Sequence, residues 1–247
     1  MIDTFMSVGG DDAYFQYSDY SIPSFLKSNS KMNLHIFTTN TEYFQKYNNP
    51  YLKIYNYNIF KEHKDCQHII KNLRKQHIHL PHYGHIMRQE YCATDVLMAQ
   101  MILTNAKWVL KVDCDSYFVG NIFNIIIPQL TDNIDLYVVE RKHPEMFLDC
   151  IKPGGGFILW NRKNKSIIQK YIKYFNGNVQ STLHNILLTN FSHKIFTHPG
   201  LHFVYPFTKN PNFNKQDAEK FLPAYFHVTG IDMLEQLKKL EEWFNEN

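Results

Sequence analysis

Residues 107–117 read KWVLKVDCDSY. The run WVLKV is short and bounded by polar residues, so it reads as a strand bound for a sheet interior. Two carboxylates, Asp113 and Asp115, follow at once. A charged group without a partner is costly to bury, so the pair needs an explanation. A strand ending in an acidic turn is one explanation, and a metal site at the carboxyl end of a strand is another. Residues i and i+2 of an extended segment point the same way, so both carboxylates can face one point. A hard divalent cation, Mn²⁺ or Mg²⁺, would relieve their repulsion and is typically shared with phosphate oxygens.

On both sides of this stretch the chain alternates strand and helix signals. IDTFMSV reads as a buried strand that stops at Gly9-Gly10, and Tyr14 to Ser28 as a helix that Pro23 kinks or interrupts. NLHIFTT and YLKIYNY are further strands, residues 60–75 have apolar positions at helical spacing, and RQEYCATDVLMAQMILTN is a stronger helix leading into KWVLKVD. Beyond the acidic pair the order is less regular. Strands are expected at DLYVVER and GGFILWN, helices near 163–175 and 180–190, extended pieces around Pro199–Pro206 and Tyr225–Val228, and an amphipathic helix over 231–245. Such alternation predicts an α/β fold with a mostly parallel central sheet flanked by helices. Without an internal repeat or a Gly/Ser linker, residues 1–247 are read as a single domain.

The bulk composition excludes several classes of function. A formal charge of +3 on 247 residues, with no long Lys/Arg run, shows no nucleic-acid or anionic-membrane footprint. The four cysteines are scattered without a CxxC pair, which fits reduced thiols in a cytoplasmic protein. There is no basic n-region before MIDTFMSVGG and no apolar run of membrane-spanning length, so neither a signal peptide nor a membrane span is expected.

Four short segments, spread from residue 5 to residue 230, share a resemblance. WVLKVDCDSYFVGNI resembles the DxD segment of GT-A glycosyltransferases, and FMSVGGDDAYF the first strand and nucleotide loop of the glycogenin-like (family 8) enzymes. KPGGGFILWNR is similar to their segment after the DxD motif, a small-residue turn at the glycines feeding a strand, and AYFHVTG to their His-x-x-Gly segment. The resemblance implies a Rossmann-like GT-A domain with a nucleotide-binding half at about 1–120, an acceptor-binding half at about 121–230 and a terminal helix at about 231–245. It implies a transferase that moves a sugar from a nucleotide diphosphate, a UDP-sugar in the first instance, to a hydroxyl of a glycan, protein or lipid. Asp113, Asp115 and His227 would hold the cation. Val8, Asp11 and Tyr14 would line the uridine. Gly154, Gly155 and Gly156 would let the backbone approach the donor sugar, and Gly230 would bring its amide to the diphosphate. The helix before the acidic pair offers Arg88 and Asp95 toward the donor phosphates.

This sequence also departs from the family pattern. GIDMLEQ has no lysine where the family carries Lys-Pro-Trp, and STLHNILL offers His184 and Asn185 in place of an Asp-Gln pair. The stereochemical outcome is therefore left open. An inverting enzyme needs a carboxylate base beside the acceptor hydroxyl, and Asp149 is the candidate. Two other functions use the same residues: a catalytically inactive sugar-nucleotide-binding protein, and a metal-dependent phosphoesterase or nucleotidyltransferase. The last usually needs more carboxylate ligands. His77, His79, His82 and His85 match no common zinc spacing and are read as a loop over the donor site or plain surface. The last helix has one apolar stripe, Ile231, Leu234, Leu237, Leu240 and Phe244, for packing on the domain or for a homodimer contact.

Overall fold

A computed structural model describes residues 1–10, 12–77, 86–141, 152–175, 182, 191–196, 198–201, 212–228 and 232–245, with the backbone alone at 76–77, 86–89, 140–141, 152–155 and 199. The elements follow the expected alternation. The first half holds β1 (Ile2–Val8), α1 (Asp12–Ser28), β2 (Leu34–Thr38), β3 (Leu52–Asn56), α2 (Tyr57–Lys61), α3 (Lys64–His77), α4 (Ile86–Ile102), β4 (Trp108–Val112) and β5 (Ser116–Val119). The second half holds α5 (Phe123–Ile126), β6 (Leu136–Arg141), β7 (Lys152–Asn161), α6 (Lys165–Tyr174), β8 (His193–Ile195), α7 (Lys215–Glu219), β9 (Ala224–His227) and α8 (Met233–Asn245).

Seven strands form one sheet in the order β3-β2-β1-β4-β7-β6-β8, and β5 pairs with β9 in a second, two-stranded sheet. The pairings of β1 with β2 and β4, of β2 with β3 and of β6 with β8 are parallel. Among the described strands of this sheet, only β7 runs against its neighbours, β4 and β6. The continuous apolar runs in the sequence reflect burial of both sheet faces. Met6, Val8, Leu110 and Val112 enter one cluster with Ile22 and Phe25 of α1. Phe5, Phe37 and Val109 enter another, with Leu97 of α4 and Tyr171 of α6. Adjacent residues thus serve opposite cores, as the period of two requires.

Three features differ from the sequence reading. Helix α1 runs from Asp12 to Ser28 without interruption at Pro23. Its serines also tie it to the neighbouring strand: Ser24 Oγ accepts from Phe118 N at 3.2 Å, and Ser28 Oγ donates to Phe118 O at 2.9 Å. These bonds satisfy the edge of β5 that faces away from β9. Gly154, Gly155 and Gly156, expected in a turn, lie inside the ten-residue strand β7. The register slips beside them, because Val138 pairs with Ile158 while Glu140 pairs with Pro153. Glycine in a strand interior often marks such a bulge. Pro199–Leu201, the start of the expected extended piece, forms a short 3-10 turn, and residues 202–206 lie outside the described residues. The helix expected at 180–190 lies outside the described residues except for Thr182. The last helix uses Leu237 and Leu240 for packing, in a cluster with Tyr117, Phe226 and Val228.

One buried titratable group makes the fold pH-sensitive. His35 of β2 lies with Nδ1 3.2 Å from the Tyr55 hydroxyl and Nε2 3.7 Å from Asp3 Oδ2. Burial pushes its pKa down from 6.5 to about 4, against the pull of Asp3. The unfolded chain therefore takes up a proton before the folded chain does. The contribution of His35 is complete well above pH 6.5, and stability is expected to fall by about 3 kcal/mol as pH drops to 4. Urea unfolding of wild type and His35→Gln across this window checks it. The substitution removes that part of the pH dependence, and identical slopes in the two proteins would contradict the assignment.

Candidate metal centre

Strand β4 is buried along its whole length between β1 and β7. Its last pairing is Val112 with Phe157, and Asp113 extends the ladder by donating its N–H to Gly156 O at 3.1 Å. Two residues later the chain leaves the main sheet. Ser116 opens β5, which pairs antiparallel with β9 so that Ser116 lies opposite His227. Val228 N donates to Asp115 O at 2.9 Å and continues that pairing. The second sheet thus brings together residues 112 positions apart in sequence.

His227 Nε2 lies 3.0 Å from Asp115 Oδ1 and 3.7 Å from Asp113 Oδ2. One ligand atom from each of the three residues lies within 4.8 Å of the others, and among the described residues they are the only His/Cys/Asp/Glu group able to hold a metal ion. Asp115 and His227 are buried, whereas the Asp113 side chain is 26% exposed. The cluster is thus open on the Asp113 side. Two carboxylates and one imidazole nitrogen suit Mn²⁺ or Mg²⁺ with positions left for phosphate or water oxygens. The residues present fit such a cation.

Behind the acidic pair lies a hydrogen-bonded support that the sequence reading did not single out. The Tyr225 hydroxyl donates to Gly156 O at 2.9 Å and accepts from Asp113 N at 3.3 Å. Ser116 Oγ lies 2.9 Å from the same hydroxyl and donates to Asp113 O at 2.6 Å. Burial, with the Asp113 charge adding to it, holds the Tyr225 pKa well above the ordinary tyrosine value, so the hydroxyl keeps its proton. The available signal was position: Tyr225 stands two residues before His227 and shares its strand face.

The other expected site residues are placed as follows. Val8 ends β1 and is fully buried. Tyr14, expected to line the uridine, is buried in the core cluster of α1, edge-on to Tyr17 at 5.3 Å. Asp95, expected toward the donor phosphates, is buried with its Oδ2 2.5 Å from Lys111 Nζ. A carboxylate placed that deep needs a charged partner, and β4 supplies one. Gly156 is the acceptor for both Asp113 and Tyr225. Arg88 lies in α4 with its backbone alone described, and Gly154 and Gly155 likewise in β7. Asp11, Asp149, His184, Asn185 and Gly230 lie outside the described residues, as does most of the histidine-rich stretch from 78 to 85.

No family model and no curated protein matches this sequence. Solved structures do. The galactosyltransferase LgtC, crystallised with donor and acceptor sugar analogs, superposes with a TM-score of 0.59 at 11% identity, over 100% of this chain and 97% of that one. The glycosyltransferase GlyE of Streptococcus pneumoniae gives 0.60 at 14% identity, over 100% of this chain and 64% of that one. A glycosyltransferase involved in glycosylation of the major capsid of PBCV-1 gives 0.53 at 10% identity, over 98% of both chains. At such identities the likeness speaks to architecture alone. The chain has the GT-A glycosyltransferase fold, with Asp113, Asp115 and His227 gathered at the carboxyl end of β4.

Proposed function

We propose that this chain is a metal-dependent glycosyltransferase that moves a sugar from a nucleotide diphosphate, a UDP-sugar, to a hydroxyl acceptor. The observation that carries the reading is the convergence of Asp113, Asp115 and His227 at a strand's carboxyl end, within a GT-A fold. In open α/β sheets that end is where ligands bind. LgtC, crystallised with donor and acceptor sugar analogs, supports a two-substrate reaction, and a hexosyl donor is the first to try.

The cation would be held by Asp113, Asp115 and His227. Bound there, it supplies Lewis-acid stabilisation of the departing diphosphate. The chain's own groups do the rest. Tyr225 and Ser116 hold the Asp113 backbone in place, and the pairing of β5 with β9 fixes His227 against Asp115. Asp11 and Val8 are assigned to the nucleoside, with Tyr14 supporting them from the core. Arg88 and Gly230 are assigned to the diphosphate, Gly154 to Gly156 to the donor sugar, and Asp149, His184 and Asn185 to the acceptor side. Residues 1–247 act as one catalytic unit in this reading.

A thermal-shift panel of UDP-, GDP-, dTDP- and CMP-sugars, with and without Mn²⁺, tests the proposal. Ligand at a hundredfold its dissociation constant should add about 2.7 kcal/mol of stability. A Mn²⁺-dependent shift with UDP-sugars alone is expected. No shift with any member of the panel would contradict the proposal.

A further inference from the structure

WVLKV holds one residue that does not suit a sheet interior. Lys111 is buried with the rest of β4, its side chain 4% exposed, and its partner Asp95 reaches down from α4 with 1% exposure. Asp95 Oδ2 also takes a long hydrogen bond from Ser7 Oγ at 3.4 Å, and its Oδ1 is buried with no hydrogen-bond partner. A buried ion pair with one oxygen unsatisfied is a poor device for stability, because apolar residues of similar volume often do as well or better. Its placement offers a better reason. Asp113 extends the β4 ladder, so Lys111 and Asp113 stand at i and i+2 on one face, about 7 Å apart along the strand. That is within reach of lysine's flexible four-carbon stem.

We propose that Asp95 is the counter-ion that holds Lys111 away from Asp113, and so keeps the acidic pair available to a divalent cation. The proposal rests on the reading of Asp113, Asp115 and His227 as a metal centre. Asp95 is then a positioning residue. Lysine is a cation at neutral pH, so Lys111 would turn to Asp113 if Asp95 were neutralised. Burial pushes the Asp95 carboxyl up to about 6 against the pull of Lys111, so the pair is ionised at neutral pH and above.

The test is a Mn²⁺ titration, with and without UDP, by calorimetry at a pH above 7. The proteins are wild type, Asp95→Asn, Lys111→Met and the double variant. Asp95→Asn should bind Mn²⁺ at least about tenfold more weakly, as loss of a group behind the ligands typically does. Lys111→Met and the double variant should stay within about threefold of wild type, because the competing cation is gone. A pair with a merely structural role would lower stability in all three variants and leave the affinities unchanged. Asp95→Asn with wild-type affinity overturns the proposal, as does a double variant no tighter than Asp95→Asn. If Asp95→Asn does not fold, Asp95→Ser takes its place: a loss of affinity of about tenfold that Lys111→Met restores sustains the proposal, and wild-type affinity overturns it. Wild type that binds no Mn²⁺ in either condition would instead refute the metal centre itself.

Discussion

Asp115→Ala should reduce sugar transfer about a thousandfold and abolish the Mn²⁺-dependent thermal shift, while the chain remains folded. Asp115 has two separable roles. Its backbone carbonyl accepts from Val228 N and helps fix β9 beside β5, and the substitution leaves that bond in place. Its carboxylate lies 3.0 Å from His227 Nε2 and is buried, so the lost side chain removes a candidate ligand and His227's nearest acidic partner together. Asp113 is more exposed and further from His227, at 3.7 Å, so Asp113→Ala should give a smaller loss of stability with a similar loss of turnover. Single-turnover transfer assays across a Mn²⁺ series, beside urea unfolding of each variant, separate the two roles. Turnover within tenfold of wild type in folded Asp115→Ala would show that the acidic pair only ends a strand.

Tyr225→Phe tests the support behind the ligands. The ring packs edge-on or tilted against Phe118 at 5.2 Å and Phe157 at 5.0 Å, and phenylalanine preserves those contacts. The substitution therefore isolates the hydroxyl. That hydroxyl contacts Asp113 N, Ser116 Oγ and Gly156 O, and so joins the end of β4, the start of β5 and the glycine segment of β7. Its loss from a buried network is expected to cost about 2 kcal/mol of stability, since the groups left behind are desolvated. The expected loss in Mn²⁺ affinity is tenfold to a hundredfold or roughly so, because groups that orient ligands matter nearly as much as the ligands. Urea unfolding and Mn²⁺ calorimetry measure the two effects. A variant with wild-type values in both would show that Asp113 is held by the backbone ladder alone.

The sheet was legible because its strands are buried on both faces, so continuous runs such as IDTFMSV and WVLKV stand out from the helical segments between them. The acidic pair was legible because two like charges at i and i+2 after such a run call for a counter-charge. The role of β5 and β9 was harder to read. Their pairing joins Ser116 to His227 across more than a hundred residues, and local pattern carries no information about such a partner. The glycines of β7 read as a turn because glycine usually marks one, but here they accompany a register slip within a strand. Lys111 was passed over inside an otherwise apolar run. Its partner Asp95 looked available for phosphate because a helix pattern does not reveal which acidic residue faces a neighbouring strand.

The most direct test of the central claim is nucleoside diphosphate released from UDP-hexoses, with and without Mn²⁺ and a hydroxyl acceptor, by wild type and Asp115→Ala. The account predicts UDP release that requires both Mn²⁺ and Asp115 and rises when an acceptor is supplied. Mn²⁺-dependent UDP-sugar binding without any release would mean a binding protein, and neither binding nor release would leave the acidic pair a strand-ending turn.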